Sequence, residues 1–165
     1  MEFLECYAMK GMMNEYIEIP NRKDYHELTE IWEASVRATH HFLTEADIHF
    51  FKPLILNEYL QSVSLFCIKS PVGNISGFMG LSEEKIEMLF VDSAAFGKGF
   101  GKALLRFAIS EKGIRKVDVN EQNEQAIAFY KYMGFEVIGR SELDGSGKPF
   151  PILHLMLPAD QVAVR

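Results

Sequence analysis

Thiol chemistry is almost absent from this chain, whose two cysteines are Cys6 and Cys67. They fit no zinc or redox spacing and form no disulfide framework. Cys67 lies in the apolar run SLFCIK, where a buried, inert thiol is expected. No apolar run approaches the ~20 residues that a membrane helix needs, so no membrane partner is expected. The opening MEFLECYAM carries acidic residues and no basic start, unlike a signal peptide. Positive charge is also in short supply, with 17 Lys and Arg against 23 Asp and Glu and a formal net charge of -6. A nucleic acid as the main partner is therefore not expected, because phosphate backbones demand a positive field. A cationic acceptor or a small molecule suits that charge better. Proline is sparse, and no repeat, linker or low-complexity tract breaks the chain. A single domain over 1–165 is expected, with 1–12 as a loose extension and a cytoplasmic location.

What is present is an ordinary globular composition, 48% hydrophobic and 24% charged. NEYIEIP alternates like a strand ending at Pro20, and Asp24 can cap a helix whose apolar positions include Leu28, Ile31, Trp32 and Val36. A second helical region starts at Thr44 or Glu45 and is bent at Pro53. VSLFCIKS and ISGFMGLSE form a hairpin through PVGN, and KIEMLFVD follows as a third strand. GKALLRFAISEK reads as a helix closed by Gly113, RKVDVNEQ as a strand, and NEQAIAFYKYM as a helix capped by Asn123. FEVIGRSEL and FPILHLML close the chain as strands. The fold class expected is α/β (mixed α+β), a mostly antiparallel sheet flanked by helices with a strand-helix-strand crossover.

The stretch FGKGFG sets three glycines among residues 97–101 at the start of a helix. A helix N-terminus offers unpaired amides and the positive end of the macrodipole, worth roughly 0.3 to 1 kcal/mol per exposed charge interaction. Gly97, Gly99 and Gly101 would let that backbone close on a pyrophosphate, with Lys98 and Lys102 beside it. A nucleotide P-loop would need Gly at 96 and Ser or Thr at 103, where Phe96 and Ala103 stand. The dinucleotide pattern G-x-G-x-x-G is also absent. A ligand-free structural turn is the bland alternative.

LFVDSAAFGKGFGKALL resembles the acetyl-CoA-binding motif of the GNAT acetyltransferase superfamily, Q/R-x-x-G-x-G/A opening a helix. VNEQNEQAIAFYKYMGFEVIGRSE resembles the second half of that family, and IWEASVRATHHFL and DVNEQNEQA resemble its small bacterial YjaB-type subgroup. The resemblance is strong over about residues 85 to 157. It implies an N-acetyltransferase that moves the acetyl group of acetyl-CoA directly to a primary amine of a small molecule, amino acid or peptide. A non-catalytic acyl-CoA sensor is the alternative. Phe96 departs from the pattern: its backbone amide remains and its polar side chain is lost, so lower cofactor affinity is expected.

By the same resemblance, acetyl-CoA lies between splayed strands at 86–92 and 116–120. Its pantetheine arm pairs with backbone near Phe90 and Val91, and an amide near Leu89 faces the thioester oxygen. The phosphates meet Phe96, Gly97, Lys98, Gly99, Phe100, Gly101 and Lys102, while Asn120, Asn123, Ala126 and Tyr130 complete the cofactor site. Tyr130 is the expected general acid and shares a helix face with Asn123, Ala126 and Ile127. The acceptor amine needs a base, for which Glu87 is the best-placed carboxylate, with a His or a water chain as alternatives and a solvated strand residue as the bland reading of Glu87. His40, His41 and Phe42 are expected at the acceptor pocket, with Phe50, Phe51, Asp144 and Phe150 near it; no metal site is expected, and a homodimer is compatible with such folds. Asn120 and Asn123 can equally serve as turn and cap, and His154 as a strand histidine satisfied by a neighbour.

Overall fold

A computed structural model describes residues 16–161. Cys6, the extension 1–12 and the beginning of the expected first strand lie outside them. Seven strands form one sheet in the order β1-β2-β3-β4-β5-β7-β6. They are β1 Ile17–Glu18, β2 Ser64–Lys69, β3 Ile75–Leu81, β4 Lys85–Val91, β5 Lys116–Asn120, β6 Glu136–Ser141 and β7 Ile152–Met156. Helices α1 (Tyr25–Thr39) and α2 (Glu45–Leu54) cover one face. Helices α3 (Phe100–Lys112) and α4 (Glu124–Tyr132) cover the other. All strand pairs are antiparallel except β4 with β5. That parallel pair needs the crossover through α3, which the change of hydrophobic period marks in the sequence.

Helix starts follow local side-chain chemistry. Thr44 accepts the Asp47 amide at 3.1 Å while Asp47 takes the Thr44 amide at 2.9 Å, a reciprocal cap for α2. Asp24 stands at the N-cap of α1, as expected, but its side chain does not bond the first turn of the helix. A 3-10 turn at Arg22–Asp24 precedes the helix, and the Asp24 carboxylate instead takes the Asn21 amide at 2.8 Å, closing that turn. Pro53 sits inside α2, which continues as a π turn over Ile55–Tyr59 with Leu60 donating to Ile55 at 3.0 Å. A prolyl nitrogen has no proton to give, so Pro53 cannot make the usual α-helical bond to the His49 carbonyl one turn back.

Buried β2 and β3 alternate their side chains between two cores. Phe66, Ile68, Met79 and Leu81 meet α3, whereas Leu65, Cys67, Ile75 and Phe78 meet α1 and α2. Cys67 is free and buried, and burial pushes its thiol up to about 11, so it stays protonated. On the α1 side of the far strands, Lys85 meets Asp118 at 2.5 Å, Asp118 meets His154 Nδ1 at 2.6 Å, and His154 Nε2 meets Ser141 Oγ at 2.7 Å. This staple crosses four strands. Burial pushes the Asp118 carboxyl up, but Lys85 and His154 outweigh it and hold it below its ordinary range. Phe78 is fully buried with its ring 5.8 Å from Phe90. Phe78→Ala is expected to lower unfolding free energy by about 3–5 kcal/mol. Val72→Ala, at an 83% exposed position, should stay within about 0.5 kcal/mol; urea denaturation of both variants checks the contrast.

Candidate functional site

The parallel strands β4 and β5 pair only at Lys85↔Lys116 and Ile86↔Val117. Beyond those rungs they part, and a cleft of about 510 Å³ opens between them. The direction of the freed backbone follows from the ladder on the other side of β4. Asp92 donates to Ser76 at 2.8 Å, and opposed residues in an antiparallel pair alternate between bonded and non-bonded. Phe90 and Met88 therefore bond with β3. Leu89 and Val91 turn their N–H and C=O toward the cleft.

A bulge adjusts the side chains. Gly80 opposes Met88 but Leu81 opposes Ile86, which leaves Glu87 without a partner on β3. The extra residue shifts the alternation, so Ile86 enters the α3 core and Met88 the α1–α2 core. Glu87 itself is exposed and borders the cleft.

One end of the cleft is the glycine turn. Gly97 and Gly99 have φ of 76° and 87°, a left-handed backbone that side chains disfavour. Gly99 caps α3 without a side chain, so the amides of the first turn, which have no carbonyl behind them, face outward from the helix start. Gly101 lies within the helix, where an added Cβ would sit 3.5 Å from Val91. Phe96, Gly97, Gly99, Phe100, Gly101 and Lys102 border the cleft. Lys98 is exposed between two of them and is not among the lining residues, and the Lys102 ammonium lies 5.5 Å from the Tyr132 ring.

The opposite wall is α4. Asn123 accepts the Ala126 amide at 3.1 Å as a helix cap, and Asn120 accepts the Gln122 amide at 2.9 Å as a turn. Asn123, Ala126, Phe129 and Tyr130 line the cleft, while Ile127 packs into the core. Tyr130 is 5% exposed, its ring 5.4 Å from Phe135, and burial alone raises its phenol above the ordinary range. The phenol is therefore protonated at neutral pH.

His40 also lines this cleft, at the end of α1. Burial first and the charge of His41 second lower its imidazole to about 4, so the ring is uncharged at neutral pH. His41 is exposed and lies outside the cleft lining. Phe42 stacks on His40 at 5.3 Å and on Phe150 at 5.8 Å, joining the α1–α2 loop to the β6–β7 loop. That second loop is further pinned where the Lys148 ammonium lies 4.5 Å from Phe50 and 3.4 Å from Asp47. A second cavity of about 400 Å³ lies below it, bordered by Phe51, Tyr59, Glu87, Met88 and Asp144 among others.

Sequence reasoning missed Ser35, Thr39, Asp118 and Phe129 in the main cleft. Thr39 and Ser35 carry a faint signal as polar residues on an otherwise apolar helix stripe. Asp118 carries none, because alternation alone makes it a surface residue of a strand. The Ser141–His154–Asp118 order has the donors and acceptors of a nucleophilic triad, but Ser141 borders neither cavity and Lys85 holds the second Asp118 oxygen. It is a cross-sheet staple.

Comparison with known proteins agrees with this geometry. A family profile described as an acetyltransferase (GNAT) domain matches residues 62–137. The peptidyl-lysine N-acetyltransferase YjaB of Salmonella typhimurium is 40% identical over 141 residues, covering 83% of this chain and 97% of that protein. The solution structure of apo YjaB from Escherichia coli matches with a TM-score of 0.78 at 38% identity, over 86% of this chain and 95% of that one. A PaiA N-acetyltransferase from Thermoplasma acidophilum, crystallised with coenzyme A, shares the fold at a TM-score of 0.65 and 22% identity, over 86% of this chain and 98% of that one. The mixed sheet, its parted central strands and this kinship together show that the chain belongs to the GNAT acetyltransferase family, as an N-acetyltransferase that uses acetyl-CoA.

Proposed function

We propose that this N-acetyltransferase acts on the side-chain amine of lysine in a peptide or protein, by direct transfer. The observation that carries the reading is that Glu87, exposed at the β4 bulge, borders both cavities. Two substrates entering from opposite sides would meet at that residue. The second cavity suits an alkylammonium, since it combines Glu87 and Asp144 with the rings of Phe51 and Tyr59. Asp144 Oδ1 is engaged by its own loop, accepting the Ser146 amide at 2.9 Å and the Lys148 amide at 2.9 Å, which fixes the carboxylate in place. The relatives named peptidyl-lysine N-acetyltransferases support the same acceptor.

In this reading acetyl-CoA supplies a thioester carbonyl for the amine to attack. The glycine turn and the first amides of α3 take the pyrophosphate, with Lys98 and Lys102 adding positive charge. Leu89 and Val91 present main-chain groups to the pantetheine arm as a neighbouring strand would. The Leu89 amide donates to the carbonyl oxygen as negative charge grows there, an interaction worth roughly 2.7 to 4 kcal/mol when one such donor is removed. A lysine amine ionises near ~10.4, so freeing its lone pair at neutral pH costs about 4 to 5 kcal/mol. Glu87 accepts that proton. Tyr130 gives its own proton to the departing sulfur as the C–S bond breaks and is reprotonated by the second proton that the nitrogen sheds on becoming an amide; the burial that raises the phenol also disfavours a bare thiolate.

Four outcomes follow from these roles. Tyr130→Phe should cut kcat by about tenfold or more with coenzyme A affinity nearly unchanged. The wild-type pH-rate profile should show no alkaline loss at the ordinary phenol value of ~10, because burial keeps Tyr130 protonated beyond it. Glu87→Gln should lower kcat/KM at neutral pH and recover as pH approaches the lysine value of ~10.4, where the amine needs no base; a pH-independent ratio to wild type contradicts the role. Gly99→Glu, which sets a carboxylate and a strained φ against the phosphates, should abolish coenzyme A binding by calorimetry.

A further inference from the structure

We infer that His40 is a positioning residue: held as its Nδ1–H tautomer, it straps the end of α1 to the Asn123 cap of α4 across the cleft, and so sets the helix that carries Tyr130. The hydrogen-bond directions leave one consistent assignment. Asn123 Oδ1 accepts the Ala126 amide at 3.1 Å, so the Asn123 side-chain nitrogen is the atom that faces His40 Nε2, at 3.5 Å. That nitrogen can only donate, so Nε2 must accept and the imidazole proton sits on Nδ1. Nδ1 lies 2.8 Å from Thr39 Oγ1, and Thr39 passes its own proton to Ser35 O at 2.8 Å. Every donor in the chain meets an acceptor, from Asn123 through His40 and Thr39 into α1.

The strap joins the end of α1 to the start of α4, both of which line the cleft. Helix α4 has nine residues, too short to hold its place by its own hydrogen bonds. Its first turn is fixed by the Asn123 cap, and Tyr130 lies on the same face seven positions later, a rise of about 10 Å. On the other side, the His40 ring rests on Phe42, which rests on Phe150 of the acceptor loop. The imidazole thus connects the acceptor side of the cleft with the base of the helix behind the thioester. Burial and the neighbouring His41 keep the ring uncharged, which leaves Nε2 free to accept. A protonated ring would set N–H against N–H and release the cap. The 3.5 Å separation is long for a hydrogen bond, as contacts that tighten on substrate binding commonly are.

The kinetic arm of the test rests on the proposed lysine acetylation; the exchange arm does not. In the full-length protein, His40→Phe keeps ring bulk against Phe42 and removes the acceptor, whereas His40→Gln restores an acceptor oxygen near Nε2. His40→Phe should lower kcat about tenfold with KM for acetyl-CoA within about twofold, and should speed hydrogen exchange of the Ala126 amide about tenfold. His40→Gln should return both to within about threefold of wild type. Wild-type kcat and exchange in His40→Phe would overturn the strap, as would equal impairment of the two variants. If His40→Phe fails to fold, His40→Asn, one carbon too short to reach, replaces it with the same expectations. If the wild type acetylates no lysine peptide, the proposed acceptor falls, and Ala126 exchange alone decides the strap.

Discussion

Hydrogen bonding between β4 and β5 ends after Ile86 and Val117, in the middle of a sheet whose strands are otherwise paired. Main-chain groups in such a place need partners, because an unpaired buried amide loses about as much as a broken hydrogen bond. Leu89 and Val91 point theirs into the gap. The fold therefore maintains a built-in demand for an extended, polar partner at that edge. The pantetheine arm of acetyl-CoA, with its two amides, has the shape and chemistry to meet it. The Lys85–Asp118–His154–Ser141 staple sits at the fork, joining β4, β5, β7 and β6 on one face. It holds the last paired rung and so fixes where the strands part.

Electrostatics at the site run against the charge of the whole molecule. The protein carries a formal net charge of -6, yet its proposed co-substrate is a polyanion. Local geometry resolves the conflict. The amides at the start of α3 and the adjacent Lys98 and Lys102 act within a few ångströms, whereas the distant carboxylates are screened over a Debye length of about 8 Å at physiological salt. The acidic surplus suits the other substrate. Asp144 and Glu87 border the second cavity, where a cation would enter.

The parts of this structure that sequence made legible are those governed by short-range chemistry. The glycine turn, the Asn123 cap, the Thr44 start of α2 and the helical face bearing Tyr130 all depend on residues within seven positions of one another. The bulge at Glu87 was not legible, because it exists only in the pairing of β4 with β3. The sequence marked Glu87 as a carboxylate on the right strand, but not its place between two cavities. His40 was visible as a polar residue between helices. Its contact with Asn123 joins positions 83 residues apart, and no local pattern encodes that. Asp24 was legible as the cap position of α1, but the 3-10 turn before it, which engages the Asp24 carboxylate with Asn21, leaves the hydrophobic period unchanged and so gave no signal.

The parted β4 edge and the glycine turn can be read together by titrating ¹⁵N-labelled protein with coenzyme A and following its amide resonances. Saturable shifts of the Leu89 and Val91 amides together with Gly97, Gly99 and Gly101 are expected, with little change on β1, β2 or the far side of α1. Tight binding that moves other amides and leaves Leu89 and the glycine turn undisturbed would contradict this binding mode.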